Sequence, residues 1–342
     1  AFTQAIHHLK PHWEEPFEKG RLTFSKLSHV AAVLNRAGTK NMVGKLRGVA
    51  DDESLSKDER TGAMVTLLAV GGPREFRDYG LNRKKFISGG KYDPNAHAAL
   101  LARMVEATRE RDVRPEGELS EPLLELLDSG NEGVLTHALT LTGLWSVRQV
   151  EGDVLRCASD KNLGVELRAA AFLSLARMNS NKAMGILKES SGKENPSAIR
   201  VAAIKAMCLT DLPEAAKRTA GLIGGGALSE RELAGLLKAF LSRTSGEDRL
   251  VEALKPVNLE QDVADGLLQA LYLSGHLSGK LSELLGGKVA KNSEPLSPDE
   301  KTISELVLAA FPRGNHVRNW AQARAWFMHC VRALLSPSGV VT

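Results

Sequence analysis

The chain has 342 residues, of which 43% are hydrophobic, 25% charged and 5% aromatic, a composition typical of a soluble protein. Scarce aromatic residues favour packed helices over a β-sandwich. The net charge of +4 is spread along the chain. This disfavours a nucleic-acid partner, since such proteins cluster Lys and Arg on one face. No apolar run reaches the roughly 18 residues that a membrane span requires.

Residues 1–70 are predicted to form N-terminal helical repeats. Apolar residues recur at helical spacing in three segments, at about 25–37, 40–50 and 56–70. Before them, the stretch IHHLKPHW brings together three histidines, His7, His8 and His12. A metal site would need further ligands that converge with them, and Pro11 is expected to interrupt the helix. We therefore interpret this stretch as a surface helix end.

Residues 71–93, GGPREFRDYGLNRKKFISGGKYD, are rich in glycine and charge and show no periodicity. They are predicted to form a long loop, and loops of this length are usually functional or disordered. Its basic run, Arg83, Lys84 and Lys85, is of the kind that meets an anionic partner. A solvated loop is the preferred interpretation.

Residues 94–290 are predicted to form an array of repeats, because three segments share a period of 32 residues. The segments are VLTHALTLTGLW from Val134, ELRAAAFLSLAR from Glu166 and AIRVAAIKAMCL from Ala198. Apolar residues coincide at Leu135, Leu167 and Ile199, and alanines at Ala138, Ala170 and Ala202. A helix pair of this length buries its apolar face only against its neighbours. The expected fold is an all-α solenoid, and its pattern resembles HEAT repeats.

Within this array, individual residues have predicted roles. Helix starts are expected at Ser120 and Ser229, and a further one at Ser297. Trp145 is expected to be a core or inter-repeat anchor. Cys157 and Cys208 lie in Ala- and Leu-rich helices, where a small buried hydrophobe is expected. No catalytic grouping stands out in the sequence.

Residues 291–342 are predicted to contain a linker, a helix at about 298–311 and a segment that includes WFMHCVRALLSPSG. Covalent haem attachment needs Cys-x-x-Cys-His. Cys330 matches the second cysteine, but Phe327 occupies the position of the first and Val331 that of the histidine. An ordinary haem c site is therefore not expected to form here.

Several segments together resemble the helical middle region of the large PVC-type haem-binding proteins. They include GGKYDPNAHAALLARMVEATRERDVRPEGELSEPLLELL, HALTLTGLWSV, AFLSRTSGEDRLVEAL and LSPDEKTISELV. The resemblance covers roughly residues 1–315. It implies a propeller domain resembling sugar dehydrogenases before the repeats and a cytochrome c domain after them. It also makes the stretch around Cys330 the degenerate start of that haem domain.

The resemblance implies that the chain is a non-catalytic spacer, which positions the propeller and cytochrome c domains for electron transfer in an exported or periplasmic oxidoreductase. Haem c would belong to the parent protein and not to this stretch. Because the sequence has no initiator Met and no signal peptide, we expect it to be part of a longer protein. The alternative is a solenoid that binds another protein and has no redox role. A HEAT-fold DNA glycosylase or bilin lyase is disfavoured by the dispersed charge.

Overall fold

The computed structural model describes residues 2–19, 21–22, 29, 33, 43–225, 228–273 and 279–292. These residues are helical except for turns and one two-stranded hairpin, which confirms the predicted all-α class. The chain divides into two compact units, Ala1–Arg218 and Thr219–Thr342. Cys330, Ser297 and the predicted helix at 298–311 lie outside the described residues. So do most residues of the predicted helix at 25–37.

The first unit contains most of the helices. In chain order they are α1 (Phe2–Glu18), α2 (Val43–Asp51), α3 (Lys57–Val70), α4 (Pro94–Arg111), α5 (Ser120–Leu127), α6 (Glu132–Leu144), α7 (Glu151–Ser159), α8 (Val165–Arg177), α9 (Ala183–Ser190) and α10 (Ser197–Met207). Helix α11 (Leu212–Ile223) contains the division between the two units. No helix of the described ranges is both long and apolar enough to cross a membrane.

Helices α3, α4, α6, α8 and α10 pack side by side, each against the next. The small residues that coincide in the 32-residue period, Ala138, Ala170 and Ala202, are all buried. At the closest crossing, a Cβ added to Gly143 of α6 would lie 2.5 Å from the Ser174 Cα of α8. Only glycine fits there, so the backbones of neighbouring repeats can approach closely. This packing is what stacked repeats require, and the solenoid remains a prediction.

The second helices of the pairs pack against the first ones. Helix α7 contacts α8 and α9, and α5 contacts α6. A non-glycine residue in the left-handed conformation follows each of three helices: Asp112 after α4, Ser146 after α6 and Asn179 after α8, with φ of 53°, 52° and 51°. This conformation is costly for residues other than glycine. It ends these three helices in a similar way.

The segment between α3 and α4 is more ordered than an open loop. A helical turn, Pro73–Glu75, leads into a π-helical turn, Phe76–Gly80, and a 3₁₀ turn, Arg83–Phe86. Strands β1 (Ile87–Ser88) and β2 (Lys91–Tyr92) then form an antiparallel hairpin. Four apolar side chains of this segment are buried: Phe76, Tyr79, Leu81 and Phe86. The expectation of a solvated loop is therefore wrong for the part of the segment from Phe76 to Phe86. The sequence gives no sign of this, because the buried residues follow no helical or strand period.

One local prediction is wrong and another is confirmed in part. Helix α1 continues through Pro11, and the Trp13 indole N–H donates to the Ile6 carbonyl at 3.2 Å in the turn that precedes the proline. Helix α5 begins at Ser120, as predicted, but the Ser120 side chain does not cap it. The Glu118 carboxylate accepts instead from the backbone amides of Leu119 and Ser120, at 2.9 and 2.8 Å.

The second unit contains α12 (Glu230–Leu241), α13 (Gly246–Leu254), α14 (Gln261–Leu273) and α15 (Lys280–Asn292). Helix α12 packs against α13 and α14, and α15 packs against α13 and α14. Ser229 caps α12 as predicted, in a reciprocal capping box with Glu232. The Glu247 carboxylate of α13 accepts from the Leu281 amide at 3.0 Å and so holds the start of α15.

Candidate functional site

The histidines of the first segment do not converge. His7, His8 and His12 are all exposed on α1. Across the described ranges, no three His, Cys, Asp or Glu side chains are grouped as metal ligands. The structure therefore gives no support to a metal site at this helix.

The basic run of residues 83–85 is largely occupied by partners within the chain. The Arg83 guanidinium lies 4.4 Å from the centre of the Tyr92 ring. Lys85 pairs with Asp51 at 2.6 Å and lies over the Tyr79 ring. The run is thus neither a simple solvated loop nor a free anion site, because two of its three cations already have partners.

Asp51 and Glu75 are the carboxylates that join the 71–93 region to α2. Asp51 also accepts from the Tyr79 hydroxyl at 2.8 Å. Glu75 is buried, pairs with Arg47 and accepts from the Gly72 amide at 2.7 Å. Burial acts to raise the pKa of each carboxyl, but the hydrogen bonds outweigh it and both pKa values lie below the ordinary range. Both groups are therefore charged and fully engaged in structure.

His97 of α4 fastens the hairpin to the helix. Its Nε2 lies 2.7 Å from the Gly80 carbonyl and its Nδ1 2.9 Å from the Tyr92 hydroxyl. The carbonyl can only accept, so Nε2 carries the proton and Nδ1 accepts from Tyr92. The ring also stacks on Phe86, with centroids 3.8 Å apart. Burial lowers the pKa of His97 to about 4. This neutral, fully bonded histidine is a structural residue.

An open polar groove lies between two successive pair-internal turns, the one between α6 and α7 and the one between α8 and α9. Its volume is about 500 Å³, within the range of ligand sites. Its lining is almost wholly polar: Arg148, Glu151, Gly152, Leu155, Asn179, Ser180, Asn181 and Lys182. Five of these residues are exposed and the other three half-buried. The groove is therefore open to solvent along its length and is the candidate functional site of the first unit.

The groove carries two cations and one carboxylate. The Ser180 hydroxyl donates to Glu151 Oε1 at 2.6 Å, so this carboxylate has a partner inside the chain. Arg148 and Lys182 form no ion pair with any carboxylate of the described residues. The lining of the groove therefore carries two positive charges without an ion-pair partner and one carboxylate that is held by a neutral hydroxyl.

Further positive charge lies on the helices that lead to these turns. Arg177 ends α8 two residues before Asn179, and its pKa is lowered by burial and by the charge of Arg109 on α4. The pKa of His137 on α6 is lowered by the same two causes, so this imidazole is neutral near pH 7 and adds no charge. Arg177, Arg109 and His137 are not among the residues that line the groove.

The prediction that Trp145 anchors neighbouring repeats is confirmed. Its side chain is buried at the end of α6, and its indole N–H lies 3.1 Å from the Val113 carbonyl, beyond the end of α4. Cys157 and Cys208 are buried, as predicted, and neither forms a disulfide. Cys330, the candidate haem-attachment residue, lies outside the described residues.

The groove was not found by sequence reasoning, although a signal for it exists. Arg114, Arg148 and Lys182 are each 34 residues apart, a spacing close to the repeat period, and each lies in a pair-internal turn. A search for chemistry within single motifs does not detect cations that recur once in each repeat.

The chain matches no protein-family model, and no curated protein matches it. The resemblance to PVC-type haem-binding proteins therefore stays a hypothesis that rests on the segments quoted above.

Proposed function

We propose that this chain is a non-catalytic helical-repeat spacer that holds other protein domains at a fixed separation. The observation that supports this best is the packing of α3, α4, α6, α8 and α10, each against the next, through buried small residues. Such crossings leave little room for one repeat to slide on its neighbour. A stacked array of this kind fixes distance better than a flexible linker does.

Bonds between successive repeats strengthen the proposal. The Arg111 guanidinium at the end of α4 donates to the Leu68 and Gly71 carbonyls at 3.0 and 2.8 Å, at the end of α3. Trp145 bonds across the next interface to the Val113 carbonyl. Each bond is accepted by a carbonyl near a helix end, where the backbone has no helical partner of its own; the Val113 carbonyl also accepts from the Thr108 hydroxyl. Neighbouring repeats are thereby held in one register.

The test is a distance measurement between two spin labels in the first unit. Glu53→Cys and Lys193→Cys place the labels at two exposed positions, one in the turn after α2 and one in the turn after α9. Cys330→Ser removes a competing thiol. The matched control is Asn95→Cys with Glu110→Cys, two exposed sites on α4 that a straight helix separates by about 22 Å.

A rigid spacer predicts a single distance between the labels at 53 and 193, in a distribution nearly as narrow as that of the control pair within one helix. A broad or multimodal distribution for the first pair beside a narrow one for the control would contradict the proposal, because the repeats would then move against one another.

The more specific form of the proposal comes from the resemblance alone: a spacer between a propeller domain and a cytochrome c domain in an exported oxidoreductase. Its test is mass spectrometry of the full natural protein. Haem bound to a Cys-x-x-Cys-His peptide beyond residue 342 would support it. A full natural protein without such a peptide would contradict it, and Cys330 without an attached haem is the expected result in either case.

A protein-interaction solenoid is the second candidate function. The specific observation in its favour is the open groove, with the unpaired cations Arg148 and Lys182.

A further inference from the structure

The groove between the two pair-internal turns differs from an ordinary small-molecule pocket. Small ligands are usually enclosed over most of their surface, in sites lined mainly by apolar groups. Here Leu155 is the one large apolar residue of the lining, and Arg148, Gly152, Asn179, Asn181 and Lys182 are exposed. An occupant must therefore gain affinity from polar contacts spread along an open surface, which is how an extended chain binds.

We propose that this groove binds an extended acidic peptide segment of a partner protein, with two carboxylates of the peptide on Arg148 and Lys182. The asparagine amides at 179 and 181 can donate to and accept from a peptide backbone. The Glu151 carboxylate keeps its negative charge, and the hydrogen bond from Ser180 fixes its position. The acidic residues of the peptide must therefore lie at Arg148 and Lys182 and away from Glu151.

The spacing of the two cations suggests a spacing for the two acids. Arg148 and Lys182 lie in the turns of two consecutive repeats and line the same groove, and packed helices lie about 8–10 Å apart. A polyproline II peptide rises about 3.1 Å per residue and returns to the same face every third residue. Acidic residues at positions i and i+3 of such a peptide are then about 9 Å apart on one side, which matches the distance between repeats.

Gly152 offers a position at which the groove can be blocked. It lies in the first turn of α7, where a Cβ would meet nothing within 4 Å. A larger residue would therefore fold without a clash and would favour the helix. Glycine at this place keeps the groove open, so Gly152→Leu is expected to block the peptide while the fold is retained.

The experiment uses the 342-residue chain and a fluorescent peptide in which two glutamates are separated by two prolines, with binding followed by anisotropy. Arg148→Gln and Lys182→Gln are each expected to weaken binding about threefold to fivefold, and Gly152→Leu to abolish it. The control is Lys161→Gln, which removes an exposed lysine from the turn after α7, outside the groove. It is expected to leave the affinity unchanged, and the melting temperature of every variant is measured in parallel.

Three results would overturn the proposal. One is the absence of binding at low ionic strength. The second is an equal loss of affinity in Lys161→Gln, which would indicate unspecific attraction to positive charge. The third is equal or tighter binding of a peptide with adjacent glutamates, or of a single-stranded oligonucleotide of the same charge. The site does not depend on the spacer role: a broad spin-label distance and tight, spacing-dependent peptide binding can occur together.

Discussion

Two parts of the first unit are held together by different chemistry. Helices α4, α6, α8 and α10 meet through apolar and small side chains, with Ala138 and Ser174 fully buried. Residues 71–97 are held by polar and aromatic contacts: His97 on Gly80, Tyr92 and Phe86, and Glu75 on Arg47. The first part repeats, whereas the second occurs once.

The difference shows what periodicity detects. A repeat requires the same packing at the same interval, so its apolar positions leave a regular trace in the sequence. A part held by specific bonds needs only the right donors and acceptors in three dimensions, and their sequence positions follow no rule. An aperiodic stretch can therefore be as firmly folded as the repeats beside it.

The largest expected effect is that of His97→Ala. It removes two buried hydrogen bonds and the stack on Phe86, and it leaves the Gly80 carbonyl without its partner. We expect a loss of about 3–5 kcal/mol from the unfolding free energy, measured by urea denaturation at pH 7.5. Tyr92→Phe, which deletes one hydroxyl, should cost about 1 kcal/mol. A loss below 1 kcal/mol for His97→Ala would mean that the irregular part contributes little.

The same residue predicts how stability depends on pH. The pKa of His97 is about 4 in the folded protein and 6.5 in its unperturbed state. Between these values the unfolded chain binds a proton that the folded chain does not. The contribution of neutral His97 to the unfolding free energy is therefore fully present above pH 6.5. It is lost as the pH is lowered to 4, by about 3 kcal/mol in all.

The check is a series of denaturation curves from pH 7.5 to 4.5 for the wild type and for His97→Gln. Taking the difference between the two proteins removes the contribution of His137, whose pKa is also lowered. A wild-type slope that persists unchanged in His97→Gln would show that another group is responsible.

A smaller effect is expected in the repeats. Ala170→Leu or Ala202→Leu should overpack a helix crossing and cost about 1–3 kcal/mol, visible as a lower melting temperature. Both alanines are buried with 8% of their surface exposed. Lys161→Leu serves as the surface control and should change little. Neutral behaviour of both alanine variants would remove these residues from the interface between repeats.

The smallest expected effect is a gain. Ser146 lies after α6 with φ of 52°, a conformation that glycine adopts without strain. Ser146→Gly is expected to add about 0.5–1 kcal/mol to the unfolding free energy. Ser159→Gly, at the last residue of α7, should instead destabilise. A lower unfolding free energy in Ser146→Gly would mean that the serine side chain stabilises the folded protein by more than its strained backbone conformation costs.

Much of the fold could be predicted because it depends on local or repeated signals. The all-α class, the buried Trp145 and the capping box of Ser229 followed from spacing and residue type. The start of α5 at Ser120 also followed, but its capping group did not, because Glu118 and not Ser120 accepts from the free amides. A search for a Ser cap does not consider a carboxylate that lies one or two residues before the amides it binds.

The candidate site could not be predicted from the sequence for a related reason. Arg148 and Lys182 are separated by 34 residues and line the same groove because α6 and α8 pack side by side. The partners of Arg83 and Lys85 depend in the same way on the fold of the 71–93 region. Charges in a turn acquire partners through tertiary structure, which the charge pattern by itself does not contain.

A rigid spacer requires that the irregular part be held as firmly as the repeats, and native-state hydrogen exchange tests this most directly. The amides of Leu81, Asp93 and His97, which donate to backbone carbonyls of this region, are predicted to exchange as slowly as those of α6 and α8, and to lose that protection together in His97→Ala. Fast exchange of these three amides in the wild type, beside slow exchange in α6 and α8, would contradict the account. The region would then behave as the solvated loop that its sequence suggests.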